Sequence, residues 1–181
     1  MSASLKPLTL DEFLAWERTQ PVRYEFDGTQ PVAMTGGTIA ADRVARRLLR
    51  ALDQRLKPPC EAFGENVKVL VPTGRVRYPD VKVACGEFDP ASDHMDPVVV
   101  FEVLSPTTEM TDRRVKSAEY ASMPSVMAYV LLAQDRPAAT VLRRSSDWRP
   151  EDIEGPDAAL ELPEIGVAFG LAERCAGTGA A

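Results

Sequence analysis

The chain predicts an α/β or α+β domain in which helices pack on a β-sheet, and three observations point there. Two valine-rich runs, at 80–85 and 98–104, stay apolar for the length of a strand. From Thr38 to about Leu56 an apolar residue returns every four positions, at Val44, Leu48, Leu52 and Leu56, which is a helical period. Along the chain the segments read helix, hairpin, helix, strands, helix, strands, so both structure types must share one core.

Taken in order, Thr9 opens a short helix. Thr9-x-x-Glu12 forms a capping box, and Leu10, Phe13 and Leu14 follow at helical spacing before Pro21 closes the segment. Residues 23–26 read as a strand, Asp27-Gly28 as a turn and 31–34 as the returning strand. Gly36-Gly37 breaks the chain ahead of the long helix, which Lys57-Pro58-Pro59 ends. The run at 67–71 is apolar with Lys68 inside it, and 98–104 has the near-continuous apolar pattern of a central strand covered on both faces. A further helix is expected from Thr111 to about Ser122, stopped by Pro124, with strands at 126–132 and 139–143. Beyond Asp147 the periodicity fades, and 160–162 and 167–169 read as edge structure. The small residues at 176–181 read as a disordered tail, which leaves 1–175 as one domain.

Composition narrows the classes. The chain has 181 residues, 45% apolar and 27% charged, the profile of one soluble domain with a real core. No window approaches the roughly 20 apolar residues of a membrane span, and the N-terminus lacks the apolar core of a signal peptide, so a cytoplasmic protein is expected. A net charge of −6 argues against a general electrostatic nucleic-acid binder. It leaves room for a nuclease, because metal-binding carboxylates lower the charge while a local basic stripe holds phosphates. Cys60, Cys85 and Cys175 are widely spaced and contain no C-x-x-C pair, so reduced thiols packed as small hydrophobes are expected.

Two carboxylates stand out. Asp80 follows Pro79 and opens an apolar strand; Glu102 interrupts the run at 98–104. A charge in a buried strand is costly unless it is paired or binds a metal. Two hard oxygen donors on neighbouring strands suit Mg²⁺, or Mn²⁺, which keeps waters and accepts phosphate oxygens. Lys116, on the following helix, completes the set if that helix packs back on the sheet. The plainer readings are a strand cap for Asp80, a buried arginine partner for Glu102 and a helical ion pair with Asp112 for Lys116. Tyr120, one turn further, either lines the site or packs on the sheet. Arg43, Arg46, Arg47 and Arg50 read as the solvated side of an amphipathic helix, while Arg75 and Arg77 read equally as phosphate contacts or as structural charges. Gly36-Gly37 lacks the lysine and spacing of a phosphate loop, and no G-x-S-x-G elbow occurs.

The ordered set of motifs resembles the Uma-type restriction endonuclease family. It comprises Arg23-Tyr24-Glu25-Phe26-Asp27-Gly28, Met34-x-Gly36-Gly37, Tyr78-Pro79-Asp80-Val81, the segment Phe101-Glu102-Val103-Leu104-Ser105-Pro106-Thr107-Thr108-Glu109, Asp112-x-x-x-Lys116-x-x-x-Tyr120 and Pro124-Ser125-Val126, and spans roughly residues 8 to 145. The resemblance implies a restriction-endonuclease-like core of the PD-(D/E)XK superfamily, a mixed β-sheet flanked by helices. It implies a Mg²⁺-dependent endonuclease acting on DNA, with Asp80 and Glu102 as metal ligands and Glu25 as a further acidic member. The superfamily's E-x-K lysine would fall at Leu104, and in this branch Lys116 supplies it. A family histidine after the Gly-Gly turn falls at Ala41, while His94 lies far along the chain. A homodimer is implied by the superfamily's habit of cutting both strands. The alternative is a catalytically impaired nuclease fold kept as a DNA-binding or protein-interaction module.

Overall fold

The computed structural model describes residues 6–34, 36–105 and 112–172. Helix α1 (Leu10–Glu17) begins at the expected capping box: Glu12 N donates to Thr9 Oγ1 at 3.2 Å, and Thr9 N donates to Glu12 Oε2 at 2.8 Å. Strands β1 (Tyr24–Phe26) and β2 (Pro31–Ala33) form the hairpin, turning at Gly28, whose φ of +95° suits glycine. Helix α2 (Ile39–Asp53) is capped by Thr38 and buries Val44, Leu48, Ala51 and Leu52. Then come β3 (Cys60–Gly64), β4 (Val69–Val71), β5 (Arg75–Arg77), β6 (Val81–Cys85) and β7 (Val99–Leu104). A π-helical turn (Asp112–Lys116) leads into helix α3 (Ser117–Ser122). Strands β8 (Ala128–Ala133), β9 (Ala138–Arg143), β10 (Pro150–Glu154), β11 (Ala159–Leu162) and β12 (Val167–Gly170) complete the described chain.

The main sheet has the order β10-β9-β8-β7-β6-β3 and is mixed: β7 and β8 run parallel, the other pairs antiparallel. The parallel pair needs a crossover, which the segment carrying α3 supplies. Helix α2 and the β11–β12 hairpin cover one face, where Leu48 and Leu52 join Val81, Val83, Val99, Phe101 and Val103. On the other face Tyr120, Met123 and Val126 pack with Val69, Val71, Val100, Tyr129 and Leu131. A second antiparallel sheet, β2-β1-β5-β4, carries α1, with Phe13 stacked on Phe26 at 4.6 Å between ring centroids. Only Tyr78, Pro79 and Asp80 separate β5 in this sheet from β6 in the main one, so Asp80 sits at the corner between them.

Several expectations change. Strands β3, β5 and β10 lack a clean apolar alternation and escape pattern reading; β3 and β10 are the edges of the main sheet, where one side needs no apolar residue. The segments expected as edge structure, β11 and β12, form a two-stranded sheet of their own among the described residues and bury Leu160, Leu162, Val167 and Phe169 in the main core. The expectation of reduced thiols is wrong for two cysteines. The β3–β6 register sets Cys60 opposite Cys85, and the two are joined by a disulfide that a spacing of 25 residues hides in the sequence. Lys68 is tolerated in its apolar run because its ammonium meets Glu17 at 2.8 Å and Asp93 at 3.2 Å. The expected start of the third helix at Thr111 and the tail at 176–181 lie outside the described residues.

Candidate active site

The antiparallel β6–β7 ladder pairs Val83 with Val99, Lys82 with Val100 and Val81 with Phe101. Continued by one residue, this register sets Asp80 opposite Glu102. Side chains alternate across a strand, so Asp80, Lys82, Val100 and Glu102 share one face, the face that α3 covers. Asp80 lies one residue beyond the paired ladder, and both carboxylates line the same groove. Asp80 is anchored where it stands: Val103 N donates to its Oδ2 at 2.7 Å.

Lys116 closes the group from the π-helical turn. Its Nζ donates to Glu102 Oε1 at 2.9 Å and lies 3.5 Å from Glu25 Oε1, with all three side chains largely out of solvent. Glu25 is held from two more sides, by Arg77 Nη1 at 3.0 Å and by the backbone N of Tyr78 at 3.3 Å. The fold therefore brings Asp80, Glu102, Lys116 and Glu25 together, and it joins Glu25 to the others through Lys116.

Arg77 is a buried structural charge in this fold, and Arg75 shares its partner Glu119 while its side chain stays 36% exposed. Arg77 donates to Glu119 Oε2 and Oε1, each at 2.7 Å, and Arg75 Nη1 donates to Glu119 Oε1 at 2.5 Å. Burial alone would raise the Glu119 carboxyl, but the hydrogen bonds and charges of Arg77 and Arg75 outweigh it and hold Glu119 below its ordinary value. On α2, Arg43, Arg46 and Arg50 are exposed and Arg47 is half-buried, as a solvated helix side requires. Arg46 pairs with Asp42 at 2.8 Å. His94 stays on an exposed loop beside Asp93.

Two neighbours of the group, Glu119 and Lys82, escape sequence reading, while Tyr120, read as either lining the site or packing on the sheet, packs. Glu119 looks like an ordinary helical acid until the fold sets it beside two arginines. Tyr120 is fully buried against Tyr129, and its hydroxyl has no hydrogen-bond partner among the described residues. Burial first, then the charge of Glu102, raise that hydroxyl well above the ordinary phenol value, while Lys116 pulls it down. Lys82 is 0% exposed and donates from Nζ to Gly64 O at 2.7 Å. Burial pushes its ammonium down to about 8, with the charges of Glu102, Asp80 and Glu65 working the other way. The available signal was a lysine two residues after Asp80 inside a valine strand.

The donor set fits a Mg²⁺-type ion. Among the described residues no group of three His, Cys, Asp or Glu side chains stands ready to hold a metal, and the carboxylates of Asp80 and Glu102 both line the groove. Mg²⁺ commonly binds through one or two carboxylates and fills its remaining positions with water and substrate phosphate. The Tyr120 hydroxyl, buried without a partner among the described residues, does not line the groove and says nothing about an ion there. The pair lies in a groove of about 1090 Å³ whose walls include Arg18, Arg23, Arg46 and Ala41. Its walls also carry Glu17, Glu25, Asp42, Glu65 and Asp93, so its arginines and lysines stand among a larger number of carboxylates.

Comparison with known proteins agrees with this architecture. The Uma2 family, described as "Putative restriction endonuclease", matches residues 10–172. The uncharacterized protein slr1290 of Synechocystis sp. is 31% identical over 176 residues, covering 94% of this chain and 92% of its own. A crystal structure from Anabaena variabilis, described as a putative nuclease belonging to DUF820, superposes with a TM-score of 0.74 at 17% identity, covering 95% of this chain and 99% of its own. That level of likeness shows a shared fold. Among the described residues no helix is long and apolar enough to cross a membrane.

Proposed function

The chain belongs to the Uma2 family, and from that premise we propose that it is a metal-dependent endonuclease that hydrolyses DNA phosphodiester bonds. What supports this reading is that Asp80, Glu102 and Lys116 line one groove, with Lys116 bonded to Glu102. In this reading Asp80 and Glu102 hold Mg²⁺ or Mn²⁺. Bound there, the ion supplies an activated water and offsets charge growing on the phosphate.

The other roles belong to the chain's own side chains. Lys116 Nζ turns from Glu102 toward the scissile phosphate or its attacking water, stabilising negative charge or orienting the nucleophile. Glu25, fixed by Arg77 and Tyr78 N, keeps Lys116 at that position. Arg18 and Arg23, on the groove wall, meet the phosphate backbone in this reading. Cleavage of both strands calls for two such sites, and a homodimer supplies them.

The test is plasmid cleavage by purified protein with Mg²⁺, with Mn²⁺ and with chelator, beside Glu102→Ala. Nicking or linearisation is expected with the metals, not with chelator, and is expected to fall at least 10²-fold in the variant. Cleavage retained by Glu102→Ala would refute the assignment of this pair. One observation favours a second reading: Ala41 stands on the groove wall where the family resemblance places a histidine. On that reading the protein binds DNA or a protein partner without cutting, and DNA retention without cleavage under any divalent ion would select it.

A further inference from the structure

We infer that Lys82 is a positioning residue that keeps the Asp80–Glu102 pair a weak site for a divalent cation until a substrate phosphate joins it. The inference rests on the metal reading proposed above and concerns a residue which that reading leaves without a task.

The ladder fixes where Lys82 stands. It follows Asp80 by two residues on the same face of β6, and its cross-strand partner Val100 lies two residues before Glu102. Lys82 is thus the diagonal neighbour of Glu102, and such neighbours have Cα atoms about 7–8 Å apart. The side chain is 0% exposed, and its ammonium donates to the Gly64 carbonyl of β3. Its hydrogen bond goes to an uncharged acceptor, the Gly64 carbonyl.

This arrangement is costly for a role in stability alone. A buried ammonium without a directly bonded carboxylate is usually worse for folding than an apolar side chain of similar volume. A hydrogen bond to one carbonyl would tether β3 no better than packing does. The same charge has a clear consequence for a cation on Asp80 and Glu102. It repels that cation across a buried region that salt screens poorly. The pair is only two carboxylates strong, so the repulsion takes a large share of its affinity. A phosphate dianion or diester arriving in the groove is attracted by the same lysine and by Lys116. Cation and substrate then assemble together, and the free protein resists loading by the divalent ions around it.

The probe is Mn²⁺ alone, read by the electron-paramagnetic-resonance signal of the free ion at pH 7 without DNA. Lys82→Met removes the charge and keeps the volume; Lys82→Gln removes the charge and keeps a donor for Gly64; Lys82→Arg keeps the charge. Expected is Glu102-dependent Mn²⁺ binding in the wild type, about tenfold tighter in Lys82→Met and Lys82→Gln. Lys82→Arg is expected to return the affinity to the wild-type value. A duplex with a hydrolysis-resistant backbone should then tighten Mn²⁺ binding more in the wild type than in the charge-free variants.

Affinity that is equal or weaker in both charge-free variants would overturn the inference and leave the metal site standing. Loss of the circular-dichroism signature of the fold in both would assign Lys82 to tethering β3 and overturn it as well. Mn²⁺ binding that is absent everywhere, or indifferent to Glu102→Ala, would instead overturn the metal reading itself and this inference with it.

Discussion

Arg77 donates to both oxygens of Glu119 and to Glu25, so the placement of two carboxylates depends on one buried guanidinium. Removing one member of such a network leaves an uncompensated buried charge, which typically costs about 3–5 kcal/mol. Arg77→Met is expected to lose stability on that order in urea denaturation, and a loss below about 1 kcal/mol would show that Glu119 finds other partners. Glu119 also makes a pH prediction. Its folded carboxyl is held below the ordinary value of 4.5, so the unfolded chain takes up the proton first as the pH falls. The stabilisation is complete above 4.5 and disappears as pH drops through the folded value. The difference in Tm between wild type and Glu119→Gln should therefore be constant near neutrality and shrink below about pH 4.5. A difference that grows in acid would contradict the pairing with Arg75 and Arg77.

Strand β3 is an edge, and two devices hold it: the ladder to β6 and the Cys60–Cys85 disulfide. A cross-link closing a loop of this size contributes roughly 3 kcal/mol by constraining the unfolded chain. Two measurements follow for this element. Thiol titration of the denatured chain should find two fewer reactive thiols without reductant than with it. Reduction should also lower Tm, and Cys85→Ser should show the same lower Tm with or without reductant. An unchanged thiol count would mean that the pair is reduced in solution, as residue spacing alone suggests. The parallel β7–β8 pair is the other decisive element, because its crossover returns the chain through the π-helical turn and sets Lys116 over Glu102.

Two sheets meet at the corner made by Tyr78, Pro79 and Asp80, and the groove runs along that junction. The site is thereby assembled from four parts of the chain, with Glu25 on the small sheet, Asp80 at the corner, Glu102 on the main sheet and Lys116 beyond it. A ligand that binds only this assembled state stabilises the whole molecule by mass action. Millimolar Mn²⁺ is expected to raise the Tm of the wild type and to leave that of Glu102→Ala unchanged. An equal rise in both would place the ion elsewhere on the surface.

How much of this was legible follows from what each interaction depends on. Elements whose cause is local could be read directly: the Thr9 capping box, the four-residue period of α2 and the apolar run of β7 each depend on neighbours within a turn or a strand. Glu102 was legible for the same reason, because a carboxylate inside an apolar run is costly wherever that run ends up. Asp80 and Lys116 could be marked as candidates only beside Glu102 and the family pattern. Glu119, Lys82 and the Cys60–Cys85 bond were not legible as members of anything, since their meaning depends on which strands become neighbours and in which register. A shift of one residue in the β6–β7 ladder would turn Asp80 and Lys82 away from Glu102. By itself, then, the sequence determined the helices, the central strands and the carboxylate that had to be buried. The tertiary structure alone decided the company that carboxylate keeps, because register and crossover are set by packing over the whole core.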